Sequence, residues 1–272
     1  MTGAYGDQRI VVTGAGNGIG AALAAAFAAE GARVVVNDLD ADAARHTAAE
    51  IGALAVAVPG DAATREGVTA LIEAARAELG GIDVYCANAG VPVGGGPEAA
   101  ESVWAAAWEV NVMAHVRAAD LLLPDWLERG SGRFVSTVSA AGLLTMLGAA
   151  PYSVSKHAAL AFAEWLSATY RHRGIKVHAL CPLGVRTQIL TDAGEWGQAL
   201  LAADAIEPDD VARAVLAALA AEQFLILPHP EVADYYAGKA ADPGRWLGAM
   251  NHLQQKITGQ KTIGQKVIGE SV

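Results

Sequence analysis

Short runs of consecutive apolar residues alternate along the chain with longer segments in which apolar residues recur every three or four positions. The short runs are typical of buried strands, and the longer spacing is that of one face of a helix. Strands are predicted over Arg9–Thr13, Arg33–Asn37, Ala55–Val58, Val84–Ala87, Arg133–Thr137, Lys176–Leu180 and Phe224–Leu227. Helices are predicted over Ala21–Glu30, Ala41–Ile51, Glu66–Leu79, Ser102–Arg129, Tyr152–Arg173 and Pro208–Ala221.

The alternation of strands and helices indicates a parallel sheet with right-handed crossovers and helices on both of its faces. No linker-like stretch interrupts it, so residues 1–250 are expected to form a single domain. Residues 251–272 are expected to form a C-terminal tail, because a loose five-residue repeat that begins at Ile257 places glycine in every unit. The tail is interpreted as flexible, as an arm that pairs with another subunit, or as an extension foreign to the domain.

The composition and the net charge indicate the size of the core and which classes of binding partner are excluded. The chain has 272 residues, of which 53% are hydrophobic, enough for one sizeable core. Its net charge of −10 excludes nucleic-acid binding through a basic face. No signal peptide is visible, and the longest apolar stretches are broken well short of a membrane span. We therefore expect a cytoplasmic protein without a nucleic-acid or membrane partner.

Cysteine and histidine do not form a metal-ligand pattern. The two cysteines, Cys86 and Cys181, end apolar strand-like runs and are expected to be buried free thiols. The seven histidines show no ligand spacing. No metal site is predicted.

A glycine-rich loop, Gly14 to Gly20, joins the first strand to the first helix. Such a loop lets the backbone approach a pyrophosphate, which then meets the free N–H groups of the helix N-terminus. Asp38 ends the second strand, where a carboxylate accepts hydrogen bonds from both ribose hydroxyls of NAD and repels the 2′-phosphate of NADP. Because Asn17 offers no cation to that phosphate, NAD is predicted. The alternative role for Asp38 is to cap the helix that begins near Ala41.

Two further strand ends carry polar or small residues. Asp61, after the third strand, is placed either near an adenine or at the cap of the following helix. Asn88-Ala89-Gly90 ends the fourth strand, where small residues let a cofactor lie against the backbone; a plain turn is the alternative.

Tyr152 and Lys156 stand four residues apart in a predicted helix and therefore share one face. An ammonium beside a phenol lowers the phenol pKa from its usual ~10 and makes it usable in acid–base catalysis near neutrality. Ser139 lies one loop upstream. Each residue also has an alternative, non-catalytic role when it is considered alone. Ser139 would hydrogen-bond nearby backbone groups at the end of a strand, and Lys156 would be a solvated lysine on a helix surface. The Ser153-Val154-Ser155-Lys156 stretch also fits an acyl-transfer motif, but the partner motifs of those enzymes are absent.

Together these motifs, with Asn111 and the stretch from Pro182 to Thr187, resemble the short-chain dehydrogenase/reductase family in its compact single-domain branch, over about residues 7 to 230. The resemblance implies a Rossmann-type doubly wound parallel sheet of about seven strands in a three-layer α/β/α arrangement. It implies that Tyr152 is the catalytic acid/base, that Lys156 lowers its pKa and binds the nicotinamide ribose, that Ser139 binds the substrate oxygen, and that Asn111 holds a water. The NAD-binding residues it implies are Gly14, Asn17, Gly18, Ile19, Gly20, Asp38, Leu39, Asp61, Ala62, Asn88, Ala89, Gly90, Tyr152, Lys156, Pro182, Gly184, Val185 and Thr187.

The sequence departs from the family pattern at two places. Val138 stands where the family often has a second serine, and Ser136 is a competing but weaker candidate for the catalytic serine. Leu183 follows Pro182 where the family usually has glycine, which shifts the glycine to position 184.

Substrate contacts are expected from the loops above the carboxyl edge of the sheet. The candidates are Val91, Ser139, Leu143, Leu144, Met146, Tyr152, Ile189, Leu190 and Trp196. Most are apolar and Arg186 is the one nearby cation, so we expect an uncharged, fairly hydrophobic secondary alcohol or its ketone. In the family, the helices that correspond to Ser102–Arg129 and Tyr152–Arg173 commonly pair between subunits, which implies a homodimer or homotetramer. Two alternative functions are a non-catalytic NAD-binding regulator and an isomerase or dehydratase that uses NAD transiently.

Overall fold

The computed structural model describes residues 3–192 and 201–259. Within them, a seven-stranded parallel sheet has the strand order β3-β2-β1-β4-β5-β6-β7. The strands are β1 Arg9–Val12, β2 Arg33–Val36, β3 Ala55–Ala57, β4 Val84–Ala87, β5 Gly132–Thr137, β6 Ile175–Leu180 and β7 Leu225–Ile226. The order reverses between β1 and β4, so a crevice opens there at the carboxyl edge of the sheet. The predicted fold class is confirmed.

Helices follow the strands in alternation. They are α1 Gly18–Ala29, α2 Ala41–Ile51, α3 Arg65–Leu79, α4 Glu101–Trp108, α5 Ala114–Arg129, α6 Ala150–Tyr170, α7 Gln188–Asp192, α8 Pro208–Ala220, α9 Glu231–Ala241 and α10 Pro243–Thr258. A π-helical turn, Glu109–Met113, interrupts the single helix predicted over Ser102–Arg129. No helix in the described ranges is long and apolar enough to cross a membrane.

The sheet is buried on both faces, which explains why its strands appear in the sequence as continuous apolar runs rather than alternating ones. Val11 and Phe134 point into a core shared with α3, α5 and α6. Val12 and Val135 point into the opposite core, which contains residues of α1 and α8. These two layers hold the strand ends, and hence the crevice between β1 and β4, in fixed positions.

The C-terminal part of the described chain is helical further than the glycine repeat suggested. Pro243 occupies the first turn of α10, and Asp242 caps it by accepting a hydrogen bond from the Arg245 N–H at 2.9 Å. The helix ends at Thr258 because the first repeat glycine, Gly259, takes a left-handed conformation with φ of 64°. The tail boundary expected at residue 250 therefore falls inside α10, while residues 260–272 lie outside the described part.

Candidate active site

The ends of three neighbouring strands are joined by the side chains of Thr13 and Asn88. The Thr13 hydroxyl accepts hydrogen bonds from the N–H groups of Asn88 and Ala89, at 2.9 and 3.0 Å. The Asn88 amide donates to the Thr13 carbonyl at 3.0 Å and accepts from the Thr137 hydroxyl at 3.1 Å. Asn88 was expected to contact the cofactor; its side chain instead joins β1, β4 and β5, while the residue itself lines the cavity described below.

The glycine loop makes the tight turn that its glycines predicted. Gly14 has φ of 61°, a left-handed conformation that glycine adopts without strain. A Cβ at Gly20 would collide with the Gly14 carbonyl and lie 2.7 Å from the Asn88 amide nitrogen. Asn17 occupies the cap position of α1, yet its side chain makes no capping hydrogen bond. The first N–H groups of α1 therefore have no side-chain acceptor there, as a phosphate-binding helix N-terminus requires.

Asp38 does not cap α2, because that role belongs to Asp40. The Asp40 carboxylate accepts hydrogen bonds from the N–H groups of Asp42 and Ala43, at 3.0 and 3.1 Å. Asp38 accepts instead from the Gly16 N–H at 2.9 Å and from the Asp40 N–H at 3.0 Å. It remains partly exposed at the cavity, so its carboxylate keeps lone pairs for ribose hydroxyls.

Asp61 does not cap α3 either. Thr64 caps α3 by accepting from the Gly67 N–H at 3.2 Å, and Asp61 lines the cavity with Ala62. The loop that carries Asp61 is held by Asn37, whose side-chain amide donates to the carbonyls of Val58 and Gly60 at 2.9 and 3.1 Å. Asn37 also lines the cavity. Asn37 was not among the predicted site residues, although a polar residue at the end of a buried strand is a usable signal.

Ser139, Tyr152 and Lys156 converge at the other end of the same cavity. The Ser139 hydroxyl lies close enough to the Tyr152 phenol to lower its pKa. The Lys156 ammonium lies 5.7 Å from the centre of the Tyr152 ring and donates to the Thr137 carbonyl at 2.9 Å. Lys156 is only 3% exposed, so it is no solvated surface lysine.

Burial sets the pKa values of this pair. It lowers the pKa of Lys156 to about 8. It also raises the pKa of Tyr152, and the Ser139 hydroxyl offsets only part of that rise. The sequence predicted a lowered pKa for Tyr152, because an ammonium stands beside the phenol. The pKa is raised instead, because burying a phenolate costs more than the contacts of the phenol return.

Asn111 lies in the π-helical turn and is completely buried. Its amide accepts from the Val91 N–H at 2.9 Å and donates to the Val91 carbonyl at 3.2 Å and the Ser155 hydroxyl at 3.1 Å. A Cβ at Gly90 would lie 3.2 Å from the Asn111 oxygen and 3.4 Å from the Lys156 nitrogen. The side chains of Asn111 and Lys156 therefore both lie next to Gly90.

Ser136 is engaged elsewhere. Its hydroxyl lies 2.9 Å from Nδ1 of His115, and both residues are buried. Burial lowers the pKa of His115 to about 3, with a smaller contribution from the charge of Lys156. The neutral His115 ring thus pairs with Ser136, which removes Ser136 from competition with Ser139.

One cavity of about 700 Å³ connects the Asp38 end to the Tyr152 end. Its wall is largely apolar and includes Val91, Val93, Val138, Met146, Leu147, Leu183, Ile189, Leu190 and Leu201. Lys156 is the cation among its lining residues in the described ranges. Arg186 is not among the lining residues and pairs with Glu207 at 2.8 Å.

Three expected contacts are not at the cavity. Leu143 is only 2% exposed and belongs to the core, and Leu144 packs against the same core. Met146 and Leu147, further along the same loop, form the wall instead. Gly184 packs against the backbone of Leu201 and does not line the cavity. The preceding residue, Leu183, does line it.

The remaining expected contacts are mostly in place. Ile19, Leu39, Pro182, Val185 and Thr187 line the cavity. Trp196 lies outside the described residues. Val93 and Leu147 line the cavity as well, in the same two loops as the predicted contacts Val91 and Met146. Leu201 was missed, because a single apolar residue carries no sequence signal that separates a cavity wall from a core.

A glycine loop at a sheet crossover, an acid at the end of β2 and a serine–tyrosine–lysine group in one cavity define a dinucleotide-binding α/β oxidoreductase. The chain belongs to the short chain dehydrogenase family, whose model matches residues 8–198. The predicted family is confirmed.

Similar proteins include 1-deoxy-11-beta-hydroxypentalenate dehydrogenase of Streptomyces exfoliatus, which is 38% identical over 238 residues, 81% of this chain and 82% of that protein. Among solved structures, a short chain dehydrogenase/reductase from Burkholderia phymatum in complex with NAD is 29% identical, with a TM-score of 0.81 over 88% of this chain and 94% of that one. A 7 alpha-hydroxysteroid dehydrogenase complexed with NADH and 7-oxo glycochenodeoxycholic acid is 27% identical, with a TM-score of 0.75 over 84% and 96% of the two chains.

Proposed function

We propose that the protein is an NAD-dependent dehydrogenase that interconverts an uncharged, fairly hydrophobic secondary alcohol and its ketone. The observation that carries the proposal is the single cavity, with Asp38 at one end, the Ser139–Tyr152–Lys156 group at the other and a largely apolar wall. The names of two similar proteins support the alcohol–ketone chemistry, since one names a hydroxy compound and the other a 7-oxo compound. Both compounds are carboxylic acids, so the uncharged substrate is proposed from the cavity wall of this chain and not from these names.

The glycine loop, Asp38, Asp61 and Thr187 would hold NAD, and NAD would supply the acceptor for a hydride. The fit rests on the close packing that only glycine allows: a Cβ at Gly18 would lie 3.0 Å from the Thr187 side chain. The Asp38 carboxylate favours a free ribose over a ribose 2′-phosphate by charge repulsion.

Tyr152 carries the proton chemistry in this proposal. When the alcohol is oxidised, its carbon loses a hydride and its oxygen loses a proton, which the Tyr152 oxygen accepts after the phenol has given up its own proton and is ionised. Ser139 lies close to Tyr152 and lines the cavity, so its hydroxyl is placed to orient the substrate oxygen. The Lys156 ammonium, close to the phenol ring, favours the ionised phenol during the reaction.

The wall composition assigns the substrate class. The wall is largely apolar, and its cation in the described ranges, Lys156, already donates to the Thr137 carbonyl. A substrate carboxylate would therefore find little compensation for its lost hydration. Kinetics with methyl 4-hydroxycyclohexanecarboxylate and its free acid test this directly, because the two share one secondary alcohol. We expect NADH formation with both and a kcat/KM at least about tenfold higher for the ester. A preference for the acid would overturn the substrate class.

The same assay separates the alternatives. A regulatory protein without turnover forms no NADH from any alcohol, and an isomerase or dehydratase that uses NAD transiently forms product without net NADH. The intact Ser139, Tyr152 and Lys156 group favours turnover, since a protein that only binds NAD has no need of it.

A homodimer or homotetramer is part of the proposal. Trp108 on α4 and Trp165 on α6 are 44% and 55% exposed, and Val154 on α6 is 50% exposed. Large apolar side chains at such exposure favour a subunit interface on this side of the molecule. Sedimentation equilibrium of wild type and of Trp165→Glu tests it: we expect an oligomer that the charge dissociates, and a monomeric wild type would contradict it. A cytoplasmic location stays a prediction from the sequence.

A further inference from the structure

Part of the cavity wall belongs to a loop that starts at the catalytic serine. This wall loop, residues 140–149, begins with a 3₁₀ turn, Ala140–Gly142, that Ser139 caps by accepting from the Ala141 N–H at 3.1 Å. Met146 and Leu147 of the loop face the cavity. The contacts that fix the wall loop therefore determine both the position of Ser139 and the volume that the cavity leaves for a substrate.

The middle of the wall loop is held from outside by a lysine of α9. The Lys239 ammonium donates hydrogen bonds to the carbonyls of Leu143 and Leu144, at 2.8 and 3.4 Å. It also lies 5.1 Å from the centre of the Trp246 ring on α10, a cation–π contact. Hydrogen bonds from a charged donor are stronger than neutral ones.

His157 connects Lys239 to α6. Its Nδ1 lies 2.8 Å from the Ser153 carbonyl, which only accepts, so Nδ1 carries the proton. Nε2 then keeps its lone pair and accepts from Lys239 at 3.4 Å. His157 thus points away from the cavity and toward α9.

Ser153 holds the far end of the wall loop. Its hydroxyl accepts from the Met146 N–H at 3.0 Å and lies 3.3 Å from the Met146 carbonyl, to which it donates. Ser153, His157 and Lys239 form one continuous hydrogen-bonded set, the loop clasp. The clasp fixes the wall loop at Leu143 and at Met146, immediately before and at the start of the segment that faces the cavity.

Apolar packing reinforces the clasp. Leu143 is 2% exposed and lies in the same core as Val232 of α9, which is fully buried. The loop side chain and the helix that presents Lys239 are thereby anchored in a common core. The C-terminal helices, which carry no residue of the cavity wall, are coupled to that wall through this contact.

We propose that Lys239 is a positioning residue that sets the size of substrate the cavity accepts, by fixing the wall loop from outside the cavity. The proposal rests on the proposed function for its substrate, but not for the clasp itself. Removing the donors while keeping the length of the side chain, as in Lys239→Met, frees the Leu143 and Leu144 carbonyls and lets Met146 and Leu147 move.

Hydrogen–deuterium exchange of the full chain tests the clasp without any substrate. In Lys239→Met we expect amide exchange in peptides covering residues 143–149 to rise about tenfold, since a charge-assisted hydrogen bond is lost. Exchange in β4 and in α1 should stay at the wild-type rate. Lys239→Arg, which keeps charged donors, should restore most of the protection. Lys256→Met removes an exposed lysine of α10 and should change neither region.

Steady-state kinetics with NAD test the specificity. Cyclohexanol is the small probe and decahydro-2-naphthol the large one. For Lys239→Met we expect KM to change about tenfold for the large probe and little for the small one, with kcat kept for both. Unchanged exchange in residues 143–149, or equal KM changes for the two probes, would overturn the proposal. If wild type turned over no alcohol, the proposed function and the specificity role would both fail, and exchange would still decide whether the clasp exists.

Discussion

The carboxylate of Asp38 accepts a hydrogen bond from the backbone N–H of Gly16 at 2.9 Å. This contact joins the end of β2 to the glycine loop that follows β1, so the acid and the phosphate-binding backbone form one rigid unit. A Cβ at Gly16 would lie 2.9 Å from the Asp38 carboxylate, which explains the small residue at that position.

Asp38→Asn keeps an oxygen acceptor for the Gly16 N–H but removes the negative charge. We expect the preference for NAD over NADP, measured as the ratio of kcat/KM values, to fall about tenfold or more because the 2′-phosphate is no longer repelled. Asp40→Asn is the matched control, since it removes a charge two residues away and asparagine still caps α2. An unchanged ratio in Asp38→Asn, or an equal fall in the control, would contradict the role of Asp38.

Gly20→Ala should destabilise the fold at the cofactor end. The new Cβ meets the Gly14 carbonyl and the Asn88 amide, both fixed by the scaffold. We expect the free energy of unfolding in urea to fall by about 2 kcal/mol or more, together with weaker NAD binding in a fluorescence titration. Gly248→Ala in α10 has open space around it and should raise stability by about 0.5–1 kcal/mol. Wild-type stability in Gly20→Ala would show that the loop is looser than described.

His115 should contribute to loss of stability in acid. Its pKa is lowered from 6.5 to about 3 in the fold, so below pH 6.5 the unfolded chain binds a proton that the folded chain does not. Stability therefore falls as pH decreases through this window, by up to about 1.4 kcal/mol per pH unit. His178, whose pKa is lowered to about 4, acts in the same direction.

His115→Gln keeps a polar partner for Ser136 and removes the titration. Urea unfolding from pH 6.5 down to pH 4 should therefore show a shallower decline for this variant than for wild type. The exposed His252 provides the control, and His252→Gln should follow wild type. Parallel curves for wild type and His115→Gln would mean that His115 is protonated in the fold.

The fold and the catalytic group were predictable because both depend on short-range patterns. Buried strands in a two-sided sheet are continuous apolar runs, and the strand–glycine–helix order of residues 9–29 is local. Tyr152 and Lys156 share a helix face through their spacing alone. Family membership and fold class were confirmed on this basis.

The rest could not be predicted because it depends on contacts between distant residues. The donor to the Leu143 carbonyl lies 96 positions later, at Lys239, and no local pattern links them. Leu143 and Leu147 are alike in sequence, yet one lies in the core and the other faces the cavity. The raised pKa of Tyr152 depends on burial, which spacing does not report.

Whether the Tyr152 phenol carries the proton is tested by the rate of NADH formation from cyclohexanol and from larger neutral secondary alcohols, in wild type and in Tyr152→Phe. We predict turnover by wild type and a fall in kcat of about 10²–10⁴ in Tyr152→Phe, because the proton acceptor is removed while the ring is kept. Tyr170→Phe, at the far end of α6, should keep the wild-type rate. Turnover by Tyr152→Phe at the wild-type rate would contradict the central claim that this phenol carries the proton.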